Sequence, residues 1–412
     1  MPRPWVCKSG LNCLLTFGLL VCIGHGQTLL PEFRSEDTWR LRPTDLAVLE
    51  GQEPRQEVRC SVSQLKPVLS WDFNFHAGYR VGIPQEELVG PSNRLTVLFR
   101  VVPKDRPREA VYMTQSIDVP AIAAGKGEWG FSGNFTLGSG KYHVDWLMRD
   151  EQQRVCAAFW DVEPKVNSKD VQLREWISRS MVGPVEPLFA EAPPVIRERD
   201  RPLPQISIII SFDPPHPSSV RLDDRDIESL VAILRRTESD PRLETGSIIV
   251  CSLEAQQILY QQKGASRLSI AALGEALKSL KLGQIDVKRL SSSNNPGQFA
   301  ADLIREHMRT ETPDALVVIA RKATGESPGV SRSTLESLQS SSIPAFYLSY
   351  DAGRPPSFSR DLLSSIMKRL RGIEYRIGQP KDLFNAWSEV VSRIVHTKQG
   401  APASVATRPP TP

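Results

Sequence analysis

The feature that most constrains this chain is an apolar run of strand length at 206–212, which contains four isoleucines and is followed by Asp213. Side chains of this type crowd a helix but pack well on a pleated sheet, because they branch at the β-carbon. The run does not alternate apolar and polar residues, so it predicts a strand buried on both faces, as in a parallel sheet covered by helices. Such sheets bind ligands beyond the carboxyl ends of their strands, and Asp213 lies at that end.

Strand and helix patterns alternate from residue 205 to residue 396. Repeated βα units of this kind predict an α/β fold with a doubly wound, mostly parallel sheet. Beyond the first strand, the predicted strands are 247–253, 285–290, 314–320, 343–350 and 374–377. The predicted helices are 226–234, 269–280, 297–308, 333–338, 361–370 and 381–395.

Short strand patterns separated by glycine- and proline-rich turns occupy residues 27–165. They predict a small all-β domain, an immunoglobulin-like sandwich. One of these patterns, at 68–75, alternates and places Trp71 and Phe73 on one face of a predicted strand. Cys60 and Cys156 lie in this domain, and we hypothesise that they form a disulfide. The alternative is two buried free thiols that behave as small apolar side chains.

The amino terminus has the layout of a secretory signal, with Arg3 and Lys8 before an apolar stretch at 11–23 and small residues before Gln27. We therefore predict a signal peptide at 1–26 and an exported protein, periplasmic or extracellular, without a membrane span after cleavage. The alternative is an uncleaved membrane anchor.

Two further segments have the composition of connecting or terminal chain. Residues 166–204 combine many prolines with charges, which predicts a linker that carries a short helix. Residues 397–412 are rich in proline, alanine and threonine and predict a disordered tail.

Composition and motifs restrict the function. The formal net charge is +4, which is too small to indicate nucleic-acid binding. The sequence contains no Walker-type glycine-rich loop, CxxC pair, HExxH or G-x-S-x-G elbow. We therefore expect a protein partner rather than a nucleic acid, and no catalytic residues.

The order of elements from 205 to 395 resembles a von Willebrand factor A domain. The best local match is the end of the domain, where strand 343–350 and a helix are followed by 371–376 and a long last helix. The chain as a whole is similar to exported bacterial proteins related to this family. The resemblance implies a divalent ion, usually Mg²⁺, held by an Asp-x-Ser-x-Ser motif after the first strand and by a Thr and an Asp from later loops.

The residues at these positions depart from the metal motif. Asp213 occupies the first position, but Pro215 and Pro217 replace the two serines. Arg321 and Lys322 follow the strand after which the family often has Thr-Asp-Gly. Bound Mg²⁺ is therefore disfavoured, no cofactor is expected, and Asp213 is a weak candidate ligand whose alternative is a solvated loop carboxylate.

These observations favour an exported, non-enzymatic, adhesion-type protein-interaction module that binds its partner through the rim of strand-end loops. The basic Arg321–Lys322 pair favours an acidic partner surface. The alternatives are a hydrolase-like enzyme at the same rim and a structural envelope protein without a discrete site. The candidate rim residues are Asp213, His216, Ser218, Asn294, Asn295, Arg321 and Lys322.

Overall fold

The structure is a computed structural model of the chain. It describes residues 28–29, 42–166, 173, 177–191, 195, 197, 202–213, 224–264, 268–278, 295–322, 330–338, 343–351 and 361–400. The predicted signal 1–26, the predicted strand 285–290 and most of the predicted tail lie outside these residues.

Two antiparallel sheets pack face to face in the amino-terminal half of the chain and form the predicted sandwich. Across the interface, the rings of Tyr79 and Trp146, both fully buried, lie 5.5 Å apart. The helix α1 (Pro43–Gly51) covers the outer face of the first sheet with Val48 and Leu49. In spatial order, the first sheet contains β1 (Thr28–Leu29), β5 (Val111–Val119), β4 (Asn93–Pro103), β7 (Tyr142–Arg149) and β8 (Val155–Val162). The second contains β2 (Ser61–Leu69), β3 (Phe75–Pro84), β6 (Glu128–Leu137) and β9 (Val182–Pro184).

A disulfide joins Cys60, which precedes β2, to Cys156 in β8, with 6.4 Å between the two α-carbons. The bond links the two sheets of the sandwich. The structure therefore pairs the same two cysteines that the hypothesis names. The remaining described cysteine, Cys251, is a buried free thiol in the second domain.

The predicted continuous strand at 68–75 is wrong, because residues 70–74 form the turn that joins β2 to β3. The amide of Ser70 donates to the carbonyl of Asn74, and Phe73 adopts a φ of 59°. The turn carries Trp71 to Tyr350 of the second domain, with ring centroids 5.6 Å apart. The alternating pattern therefore marks a contact between the two halves of the chain rather than one strand face.

The predicted linker is attached to both halves of the chain. Its strand β9 pairs with β6 of the sandwich. Farther along, the ring of Phe189 packs directly over Gly274, where an added β-carbon would lie 2.8 Å from the ring. Glu191 accepts a hydrogen bond from the amide of Ala271, 3.2 Å away, at the start of the helix Ile270–Lys278. The segment thus joins the two halves of the chain through specific contacts on each side.

A six-stranded sheet forms the second domain, and it is mostly parallel, as the sequence predicted. All its neighbouring strands are parallel except β12, which is antiparallel to β11. In spatial order, the strands are β12 (Gln257–Lys263), β11 (Glu244–Ser252), β10 (Gln205–Ser211), β13 (Ala315–Arg321), β14 (Ala345–Tyr350) and β15 (Ile373–Ile377). The sequence prediction missed β12, because its residues are mostly exposed or half-buried and carry no buried apolar run.

Helices cover both faces of this sheet. Ile208 and Ile210 point to the face covered by α2, α3 and α7, whereas Ile209 packs against α4 and α6 on the other face. Each buried isoleucine side chain contributes about 2 kcal/mol to stability by leaving water. The described helices of this domain are α2 (Asp224–Glu238), α3 (Ile270–Lys278), α4 (Pro296–Glu311), α5 (Arg332–Ser337), α6 (Leu362–Arg369) and α7 (Pro380–Gly400).

Candidate functional site

The carboxyl edge of the parallel strands is the candidate functional site. Successive strands add to one side of β10 as β11 and β12, and then to the other side as β13, β14 and β15. The order in which strands are added to the sheet therefore reverses between β10 and β13. Sheets of this type bind ligands at such a reversal of strand order. Asp213 follows β10 at this point, while Arg321 ends β13 and Lys322 follows it.

Asp213 is held by four donors from its own strand and from the end of β11. Its Oδ1 accepts hydrogen bonds from the Ser252 hydroxyl at 2.8 Å and from the Glu254 amide at 3.0 Å. Its Oδ2 accepts from the Leu253 amide at 3.2 Å and from the Ser211 hydroxyl. Asp213 is thus not the solvated loop carboxylate that the sequence left open. Its carboxylate joins the end of β10 to the turn after β11.

A divalent cation does not fit these residues. A carboxylate has about four lone-pair sites, and the four donors around Asp213 use them. A cation could bind this carboxylate only by displacing one of these donors. The two residues at the end of the adjacent strand β13, Arg321 and Lys322, carry no side-chain oxygen that could complete a cation site.

Arg321 is not a rim residue, because its side chain is 7 % exposed and is held against Asp226 in the first turn of α2. The ion pair spans the reversal point, since α2 follows β10 in the chain and Arg321 ends β13. A guanidinium that is buried with a carboxylate is anchored by charge-assisted hydrogen bonds. Arg321 therefore braces the first helix of the domain against its central strands.

Lys322 is also internal, with 2 % of its side chain exposed. Its Nζ donates to Oε1 of Glu374 at 2.6 Å and to the hydroxyl of Ser364 at 2.8 Å, and it lies 4.0 Å from Oδ2 of Asp361. Tyr347 completes the group by donating its hydroxyl to Oδ2 of Asp361 at 3.0 Å. The prediction that Arg321 and Lys322 present charge to an acidic partner is therefore wrong, because both side chains are consumed by internal contacts.

The charge states of this cluster follow from burial and from Lys322. Burial alone would raise the pKa of Glu374, but the hydrogen bonds from Lys322 and Ser364 outweigh it and hold that pKa below its usual value. Burial, together with the negative charge of Asp361, raises the pKa of the Tyr347 hydroxyl well above its usual value. The cluster thus contains an ionised glutamate and a neutral tyrosine at neutral pH.

The remaining predicted rim residues divide into two groups. Asn295 caps α4, with its side-chain oxygen accepting from the amide of Gln298 at 2.9 Å. The side-chain oxygen of Asn295 thus satisfies a backbone amide in the first turn of α4, as an N-cap residue does. His216, Ser218 and Asn294 lie outside the described residues.

Sequence reasoning missed Asp361, Ser364 and Glu374, which hold Lys322. One signal was available for Asp361, since an aspartate at the start of a predicted helix, here 361–370, is a typical cap. Its carboxylate accepts from the amide of Ser364 at 2.7 Å. The link to Lys322 carried no such signal, because the residues are separated by 42 and 52 positions in the chain.

Two general properties of the described part of the chain bear on the site. Among the described residues, no helix combines the length and the apolarity that crossing a bilayer requires. The same residues contain no group of three or more histidine, cysteine, aspartate or glutamate side chains arranged to hold a metal.

Comparisons with known proteins give only distant likenesses. No protein-family profile matches the chain, and no curated protein matches it in sequence. A putative ApaA protein from Bordetella pertussis is 12% identical, with a TM-score of 0.17; the match covers 27% of this chain and 100% of that chain.

Two larger solved structures match over more of this chain. A glycosyl hydrolase family 2 member from Bacteroides cellulosilyticus is 10% identical, with a TM-score of 0.21; the match covers 77% of this chain and 38% of that chain. A β-glucuronidase from Bacteroides uniformis is 11% identical, with a TM-score of 0.17, over 71% of this chain and 36% of that chain. Scores this low carry no argument about fold or function.

Proposed function

We propose that this protein is an exported, non-enzymatic protein-interaction module that binds a protein partner at the carboxyl edge of its α/β domain without a metal. The proposal rests on one observation above all: the charged side chains at this edge are tied to each other inside the protein. Lys322 is bound by Glu374, and Arg321 by Asp226. Internal ion pairs therefore stabilise this edge, and we expect the segments that follow its strands to determine specificity.

The architecture supports the proposed relation to von Willebrand factor A domains. The sheet reverses direction between β10 and β13, and the late elements β14, α6, β15 and α7 follow in the order that the sequence resemblance implies. Arg321 and Lys322 stand in the region where metal-binding members carry an acidic ligand.

Export is the second part of the proposal. It rests on the signal-like layout of residues 1–26 and is supported by the disulfide between Cys60 and Cys156. Structural disulfides persist in oxidising compartments and are rare in the cytosol. The sandwich then serves as a spacer or a second binding surface, and the Trp71–Tyr350 contact holds it against the α/β domain.

The partner is best identified by affinity capture from the native envelope fraction. The bait is the chain without residues 1–26, compared with a variant in which residues 215–222 are replaced by a glycine–serine segment of equal length. The control replaces residues 123–127, an exposed segment between β5 and β6 of the sandwich. We expect the first variant to lose a partner that both the wild type and the control retain.

Two outcomes would contradict the proposal. Equal partner sets from all three baits would show that the carboxyl edge is not the binding surface. Loss of the partner on addition of EDTA to the wild-type bait, with restoration by Mg²⁺, would show that binding depends on a metal.

A further inference from the structure

The opposite, amino edge of the parallel sheet holds a concave site that the proposed partner surface does not use. Its volume is 340 Å³, within the range of small-molecule pockets. The floor is apolar and comes from Pro344, Ala345 and Ile373, where β14 and β15 begin. One wall is formed by the last turns of α7, including His396 and Thr397, and Arg371 contributes to the lining between α6 and β15.

Arg371 occupies a backbone position that favours glycine. Its φ is 57°, in the left-handed region, directly after α6. The amide of Arg371 donates to the carbonyl of Lys368 at 3.2 Å, and the amide of Gly372 donates to the carbonyl of Met367 at 2.8 Å. These two bonds form the helix-ending motif in which glycine is the preferred residue at the position of Arg371. The helix end itself therefore gains nothing from an arginine side chain.

The guanidinium of Arg371 is also the positive charge in the pocket lining that could pair with a bound anion. No hydrogen bond or ion pair holds its side chain within the part of the chain that the structure describes. The other arginine in the lining, Arg393, is different, because its Nη2 lies 2.7 Å from Oε1 of Glu389. The imidazole of His396 and the hydroxyls of Ser392 and Thr397 add polar groups to the same lining.

We propose that this pocket binds a small organic anion that has a carboxylate head and an apolar body. The head pairs with Arg371, whose planar guanidinium matches the two oxygens of a carboxylate. The body covers Pro344, Ala345 and Ile373 and removes their apolar surface from water.

The test uses the chain without residues 1–26 and phenylacetate as the probe, titrated by isothermal calorimetry. We expect saturable one-site binding. Two control ligands each lack one part of phenylacetate. Acetate has the carboxylate without the phenyl group, and 2-phenylethanol has the phenyl group with a neutral hydroxyl. Each is expected to bind at least about tenfold more weakly than phenylacetate. The absence of saturation below about 10 mM phenylacetate would overturn the proposal, as would equal affinity for 2-phenylethanol.

Three variants separate a binding role from a structural one. Arg371→Gln keeps the backbone position and should weaken phenylacetate binding at least about tenfold. Arg371→Gly should lose binding to the same degree while its melting temperature stays equal to that of the wild type or rises. Arg332→Gln, which changes an exposed arginine on α5, is the control and should bind as the wild type does. Unchanged affinity in both Arg371 variants, or a lower melting temperature for Arg371→Gly, would contradict the assignment.

Discussion

The ammonium of Lys322 lies 2.6 Å from Oε1 of Glu374, and only 2 % of the lysine side chain is exposed. The two residues come from the end of β13 and from β15, strands that are separated in the sheet by β14. Their contact therefore spans the middle strand and, through Ser364, also reaches α6. A buried cation at this position holds three elements of the carboxyl edge together.

Replacing Lys322 with methionine is expected to lower the free energy of unfolding by about 3 kcal/mol at pH 7. The substitution keeps the length of the side chain but leaves Glu374 and Asp361 without their cation in a buried environment. Urea denaturation followed by tryptophan fluorescence measures the change. Lys368→Met, an exposed change on α6, is the matched control and should stay within about 0.5 kcal/mol of the wild type.

The double variant Lys322→Met with Glu374→Gln tests the cause of that loss. We expect it to recover at least half of the lost stability, since it removes the charge that Lys322 neutralised. A double variant as unstable as Lys322→Met alone would indicate that packing of the lysine stem, rather than its charge, stabilises the edge.

Asp240 gives the clearest pH dependence in the α/β domain. Burial alone would raise its pKa, but hydrogen bonds from Arg242 and from Nε1 of Trp387, the latter at 2.9 Å, hold the pKa below its usual value. A carboxylate with a depressed pKa stabilises the fold above its unfolded pKa of about 3.9 and loses that contribution as the pH falls through the folded value. The contact ties the turn after α2 to α7.

Asp240→Asn is therefore expected to cost about 2 kcal/mol at pH 7. The difference from the wild type should be constant between pH 6 and 8 and should shrink below about pH 4. Urea denaturation at several pH values measures it, with Asp118→Asn, an exposed change on β5, as the control. A difference that keeps its full size at pH 3 would show that the charge of Asp240 is not the cause.

The disulfide between Cys60 and Cys156 closes a long loop, since the two cysteines are 96 positions apart in the chain. The loop-closure argument predicts that the double variant Cys60→Ser, Cys156→Ser loses about 4 kcal/mol of stability. Thiol titration of the unfolded, unreduced chain without residues 1–26 should find one reactive thiol, that of Cys251. Three reactive thiols would exclude the bridge.

Local pattern was sufficient to predict the sheet elements with buried apolar runs, including β10, β13 and β14. These runs exclude water on both faces of the sheet, so their composition alone indicates their place. The strand β12 escaped prediction because it lies at the edge of the sheet, where one side of the strand needs no partner and polar residues are tolerated. The alternating pattern at 68–75 led to a wrong prediction. Trp71 packs against Tyr350 of the second domain and does not lie on the face of a strand.

The sequence by itself determined the division into a β half and an α/β half, because hydrophobic periodicity is a local property of the chain. It also showed that Pro215 and Pro217 cannot provide the hydroxyl ligands of a metal site. Only the tertiary structure decided the role of Lys322 and Arg321, which the sequence alone presents as surface charges. A charge becomes internal only when residues far along the chain, here Glu374 and Asp226, are brought within hydrogen-bond reach, and that distance is set by the packing of the whole sheet.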